Sequence, residues 1–193
     1  MLPFDSFIQE LDSIKKYEKI FFFVKEKVLA INSSDILRMQ IVLTVSTMDK
    51  YFHDLSIRYF EKCLKNNAIP KKEIFSFSMK DILSCLYSDN QKELLFNLFR
   101  REIMRFTFQQ SNDISKISNF MEIDNIFFKI FGNDAENSKK RLDLIVARRN
   151  QIVHEADFDT TAFSKRNITS NEVAESIRFI ENFIAEYNKY ITF

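Results

Sequence analysis

Three features of this 193-residue sequence predict an all-α fold: a bundle of long core helices with additional short ones. Backbone breakers are scarce, with one glycine (Gly132) and two prolines (Pro3 and Pro70), too few for the turns of a sheet protein. Apolar residues recur at i, i+3/i+4 over long stretches. Ser or Thr followed three residues later by an acid or amide, the chemistry of a helix start, recurs as well. The length suits one sizeable core. With no internal repeat, low-complexity linker or composition shift, one domain over residues 1–193 is expected.

Phe4, Phe7, Ile8, Leu11, Ile14, Ile20, Phe21, Val24 and Val28 fall at helical spacing, predicting a first helix over about Asp5–Ile31. Ser33 and Ser34 offer N-caps for a second. Its apolar stripe is Leu37, Ile41, Val45, Met48, Phe52, Leu55, Tyr59 and Cys63, and Asn66, Asn67 and Pro70 end it. Ser46, Asp49, His53 and Ser56 form a polar stripe on this otherwise apolar helix. Lys71–Phe77 reads as a loop. Ser78 with Asp81 opens a short helix to about Tyr87, and Ser88 with Gln91 opens another carrying Leu94, Leu95, Leu98, Ile103 and Phe106. Ser111–Asp113 reads as an interruption. Ile114–Phe131 is a broken helical stretch closed by Gly132. After a loop at Asn133–Asn137 comes a helix over about Ser138–Glu155, with Leu142, Ile145, Ile152 and Val153 as core candidates. Ala156–Ile168 is polar and aperiodic. Thr169 with Glu172 is a capping box for a last helix that buries Val173, Ile177, Ile180, Ile184 and Tyr187.

A net charge of +1 gives no global pull toward nucleic acid or a membrane. The 22 phenylalanines read as core filler. Cys63 and Cys85 lie far apart without metal-ligand spacing, which predicts free thiols in a reducing compartment. The N-terminus has no signal-peptide pattern, and the densest apolar cluster, Ile20–Val24, is too short to span a bilayer. A cytoplasmic protein without membrane contact is expected.

The chemistry concentrates in Ile145–Asp157, where a helical segment carries Arg148, Arg149, Asn150 and one of only two histidines, His154. A guanidinium that is always charged suits gripping a phosphate, and an imidazole that titrates near neutrality suits moving protons. Arg149 and His154 are five residues apart, about 140° of rotation and roughly 7.5 Å of rise on an ideal helix, so they do not share a face. Asn150 and His154 do. Convergence requires either that Arg149 reach round the helix or that a second copy supply the opposing groups, as in a two-fold cleft. The plain alternative is a surface arginine and a histidine at the negative end of a helix dipole.

On the second helix, Asp49 and His53 are one turn apart, so the carboxylate could orient the imidazole in an auxiliary role, or the two could be an ordinary i, i+4 pair. His53 and His154 lack a third ligand at useful spacing, so no metal site is expected. Lys140, Arg141 and Arg148 are candidate RNA contacts in a basic cluster around the motif, beside the reading of a solvated helix face. Phosphate-cradling glycine loops are excluded by the single glycine.

The run Ala147-Arg-Arg-Asn-Gln-Ile-Val-His-Glu-Ala-Asp157 resembles the motif region of the HEPN superfamily, all-α bundles marked by an Arg and a His separated by four to six residues. More narrowly, with Arg38–Leu55 and the capped helix after Asp157, the chain resembles the RiboL-PSP type of HEPN domain over about Leu37 to Tyr187. The resemblance implies a metal-independent endoribonuclease with no cofactor, commonly a toxin or defence nuclease, acting on RNA as a homodimer and sometimes paired with an antitoxin or defence-system partner. Carried onto this sequence, Arg149 would hold the scissile phosphate. His154 would act as general base on the 2′-hydroxyl or general acid on the leaving 5′-oxygen, and Asn150 would orient His154 or contact RNA. The products would be a 2′,3′-cyclic phosphate and a 5′-hydroxyl. Some domains of the superfamily instead bind RNA or protein without catalysis, which is the alternative reading.

Overall fold

The computed structural model of the chain describes residues 2–28 and 32–192. Helix α1 (Pro3–Lys27) starts with proline in its first turn, where the missing N–H costs nothing. The end expected at Ile31 lies outside the described residues. Helix α2 (Ser34–Lys65) follows. Ser33 makes no side-chain cap there; the Asn32 Oδ1 instead accepts from Ser34 N at 3.1 Å. Helix α3 (Met79–Leu86) does begin as read, with Ser78 Oγ accepting from Asp81 N at 3.1 Å. Helix α4 (Gln91–Ile103) is shorter than its apolar pattern suggested, so Phe106 falls beyond its end and Phe99 is the residue it buries most deeply with Ile103.

The break expected at Ser111–Asp113 is displaced. Those residues open helix α5 (Ser111–Phe120), and the interruption is 104–110. The cap comes from far along the chain: Asp143 accepts from Ser111 N at 2.7 Å and from Ser111 Oγ at 2.8 Å. Helix α6 (Ile126–Phe131) ends at Gly132, whose φ of 55° suits a residue without Cβ. The loop expected at Asn133–Asn137 is only a 3-10 turn, Gly132–Asp134, and helix α7 (Ala135–His154) begins at once. Two short strands, β1 (Phe158–Asp159) and β2 (Ser164–Lys165), form a hairpin in the aperiodic segment. Helix α8 (Ser170–Asn188) carries both halves of the Thr169–Glu172 capping box.

The fold is all-α apart from that hairpin. Helix α2 is its axis: α1, α4, α5, α7 and α8 all pack against it. Its buried residues include the whole apolar stripe from Leu37 to Cys63. Around its middle, Tyr51 and Phe52 meet Tyr187 of α8 edge-on, with ring centroids 6.2 and 5.0 Å away. Phe127 of α6 stacks on Phe183 of α8 at 5.2 Å. The buried hydroxyls of Tyr187 and Ser118 hydrogen-bond at 2.9 Å, so the aromatic core holds no orphaned phenol there. Among the described residues no helix is long and apolar enough to cross a membrane.

Because the α8 capping box satisfies the Thr169 and Glu172 N–H groups, Thr169→Ala should cost about 1 kcal/mol of stability. Urea denaturation followed by circular dichroism measures it; a change indistinguishable from zero would show that α8 is held by packing alone.

Candidate active site

The buried side of α7 runs through Ala135, Ser138, Leu142, Ile145 and Val146. Arg149 continues that side, four residues after Ile145 and three after Val146. It is half-buried, and its Nε is buried without a hydrogen-bond partner among the described residues. Its Nη1 donates to Asn150 Oδ1 at 3.1 Å. The side chain therefore wraps from the core side toward the flank that Asn150 shares with His154. His154 ends α7 and is exposed. Val153, a core candidate by periodicity, is exposed as well, because it lies on the outer side of the last turn of α7, whose Ile152 packs against the core.

The turn after His154 is tightly specified. Glu155 N and Asp157 N both donate to Gln151 O at 3.0 Å, and Ala156 and Asp157 adopt left-handed backbone with φ of 51° and 57°. Such residues cost about 1–2 kcal/mol each unless something else holds them. Here the holding group is the Asp157 carboxylate, fully buried between two guanidinium groups. Arg38 Nε of α2 donates to its Oδ2 at 2.5 Å. Arg148 of α7 binds it in a two-point fork, Nη2 to Oδ2 at 2.9 Å and Nη1 to Oδ1. Each guanidinium also reaches a backbone carbonyl: Arg38 Nη2 donates to Arg166 O at 2.7 Å and Arg148 Nη2 to Asn167 O at 3.2 Å. Arg148, a candidate RNA contact by sequence, has its guanidinium committed to this clamp.

Arg166 N donates back to Asp157 O at 2.9 Å, which ties the hairpin to the same point. Phe158 pairs with Lys165 and Asp159 with Ser164. Asp159 Oδ1 shapes the turn by accepting from Thr161 Oγ1 at 2.5 Å, Thr161 N at 2.8 Å and Ala162 N at 3.1 Å. The Thr161 hydroxyl first, then the two amides, hold its carboxyl down to about 2.

Asp49 and His53 belong to a different part of the surface of α2. Asp49 accepts from Phe108 N at 2.5 Å and from Gln109 Nε2 at 3.2 Å, pinning the α4–α5 connection. The His53 Nε2 lies 3.7 Å from Asp49 Oδ1, and its ring packs on Phe108 at 4.8 Å. Ser46 and Ser56 turn their hydroxyls onto their own helix, to Val42 O and His53 O. Arg141 stacks on Phe179 of α8, 4.8 Å from the ring centroid. Arg141 and Arg148 line a concavity of about 430 Å³ between α7 and α8, whose other walls include Glu172 and Glu175. Two carboxylates make that groove a poor phosphate cradle. Lys140 is exposed on α7, fourteen residues before His154 and therefore near the same flank. Among the described residues no group of three or more His, Cys, Asp or Glu is placed to hold a metal ion.

A family model for RiboL-PSP-HEPN matches residues 6–192, nearly the whole chain. The chain belongs to this family. No curated protein and no solved structure matches it significantly. HEPN domains are often ribonucleases, so membership points to an RNA-related role. Periodicity and motif reading missed Arg38 and Asp157 as partners. The available signal was Arg38 lying in register with Ile41, Val45, Met48 and Phe52, a charge on an apolar stripe that only a buried counter-charge can accommodate.

Asp157→Asn leaves two guanidinium groups facing a neutral amide, and Arg38 is itself buried; the loss should be about 3–5 kcal/mol in chemical denaturation. The Asp159 turn has its own pH window. A carboxyl lowered from 3.8 to about 2 supports the folded turn fully above pH 3.8, and that support is lost as pH falls through 2. Amide shifts of Thr161 and Ala162 followed by NMR should move through that window.

Proposed function

We propose that this protein is a metal-independent endoribonuclease that cleaves RNA by attack of the 2′-oxygen on the adjacent phosphorus, at a composite site formed by two copies of the chain. The observation that carries the reading is the Arg149–Asn150 hydrogen bond, which draws the guanidinium off the core side toward the flank of His154. A guanidinium turned toward the residue one helical turn before His154 supports the reading despite the five-residue spacing. An exposed imidazole at the end of α7 is also accessible to a second copy, and a two-fold axis beside this flank would set two Arg149–His154 sets around one linkage.

In this scheme Arg149 holds the non-bridging oxygens and stabilises the charge that builds on them in the transition state. One His154 takes the 2′-hydroxyl proton. As the O2′–P bond forms and the P–O5′ bond breaks, the other His154 protonates the leaving 5′-oxygen. A 2′,3′-cyclic phosphate and a 5′-hydroxyl result. Asn150 orients Arg149 through its carbonyl oxygen. Lys140 is the remaining candidate for RNA contact on this flank. Asp49 and His53 act at a distance, by holding the α4–α5 connection that borders α7. A toxin or defence role in the cytoplasm, restrained by a cognate partner, belongs to the same proposal and rests on the family alone.

His154→Ala should lower cleavage of a mixed RNA pool by about 10²–10⁴-fold, and Arg149→Ala by about 10²–10³-fold. Helical circular dichroism should stay unchanged. Mapping of 3′ ends should show cyclic phosphates, and EDTA should leave the rate unaltered. Cleavage that survives both substitutions removes this chemistry. RNA retention without cyclic-phosphate ends identifies a binding module instead.

A further inference from the structure

Two aromatic rings face solvent directly after the candidate site. Phe158 is 41% exposed and Phe163 is 81% exposed. Phe163 also adopts left-handed backbone, with φ of 50°, a conformation that bulky residues keep only where their surroundings impose it. The Asp159 turn imposes it from one side and the Phe158–Lys165 pairing from the other. The hairpin is in turn anchored to the end of α7. Phe158 N donates to Glu155 O at 3.0 Å, which folds the Phe158 backbone against the end of α7, and Arg166 N is held by Asp157 O. Strain, exposure and rigid attachment coincide on one short element.

We propose that Phe158 and Phe163 form a stacking platform for unpaired RNA bases beside the scissile linkage, which makes single-stranded or loop RNA the substrate class. The inference rests on the ribonuclease reading above. In-line attack needs the 2′-oxygen opposite the leaving 5′-oxygen, a geometry that an A-form duplex does not present, so the linkage must be splayed. Bases released from their own stack find replacement surface on aromatic rings. Charge favours bases over phosphates as the contact. Lys165 Nζ is taken by Asp35 at 2.7 Å, and Arg166 Nη1 lies 3.2 Å from Glu155 Oε2, so the hairpin brings little uncommitted positive charge. The platform therefore adds base affinity without adding counterion release.

The test uses full-length His154→Ala protein and a single-stranded oligoribonucleotide containing 2-aminopurine, titrated at several salt concentrations, with a perfect RNA duplex as comparison. Adding Phe163→Ala or Phe158→Ala should weaken single-strand binding by about 5- to 150-fold. Plots of log affinity against log salt should stay parallel, 2-aminopurine quenching should fall, and duplex binding should not respond. Phe163→Tyr should restore the affinity. Unchanged single-strand affinity in both alanine variants overturns the platform. An equal loss on the duplex overturns it as well. So does a shift in oligomeric state by light scattering in these variants, which would assign the rings to a contact between copies. Cleavage lost in His154→Ala with intact RNA affinity in both phenylalanine variants would sink the platform and leave the ribonuclease reading standing. Base stacking on the platform in a wild-type protein that never cleaves RNA would uphold the platform and remove the ribonuclease.

Discussion

A single buried carboxylate organises the business end of this bundle. Asp157 lies between Arg38 of α2 and Arg148 of α7, and each arginine carries the connection onward to a carbonyl of the segment leading into α8. The start of the axial helix, the end of the motif helix and the hairpin thus share one point. Burying three charged groups is rarely a net gain over well-packed apolar residues, because each ion loses its water. What the clamp supplies is geometry. It demands one backbone path after His154, including two consecutive left-handed residues, the first of them an alanine with no local preference for that region.

Helix α7 serves both the core and the candidate chemistry, and the division follows its faces. Leu142, Ile145 and Val146 pack inward, and Asp143 reaches sideways to cap α5. Arg149 sits where the next core residue would be, and a shorter side chain there would end inside the bundle. Only a long one can start on the core side and deliver its guanidinium to Asn150. The same logic holds one helix away. Asp49 of α2 and Asp143 of α7 each accept from backbone N–H groups in the stretch between Phe108 and Ser111, so the connection between α4 and α5 is sewn to both helices that border the site.

Much of this was legible in residue order. The stripes of α2 and α8, the Ser78 and Thr169 caps and the glycine after α6 follow from rules that act within a few residues, and each appears where those rules put it. The misreadings share one cause. The start of α5 depends on Asp143, thirty-two residues away, and the end of the apolar pattern on α4 gave no sign that Phe106 would leave the helix. Nothing local distinguishes Arg148 from Arg149 as a cation; the difference comes from Asp157, which folds back onto Arg148.

From the order of residues alone came the helical class, the candidate Arg149, Asn150 and His154, and the geometric difficulty that their spacing creates, because all of these are matters of helical period and residue chemistry. Tertiary structure decided which guanidinium is tied to a buried carboxylate and which donates to Asn150 instead. It also decided that an aperiodic polar stretch becomes a strained hairpin with two exposed rings. Those outcomes depend on contacts between residues far apart in the chain, such as Arg38 with Asp157, 119 positions on, and periodicity carries no information at that range.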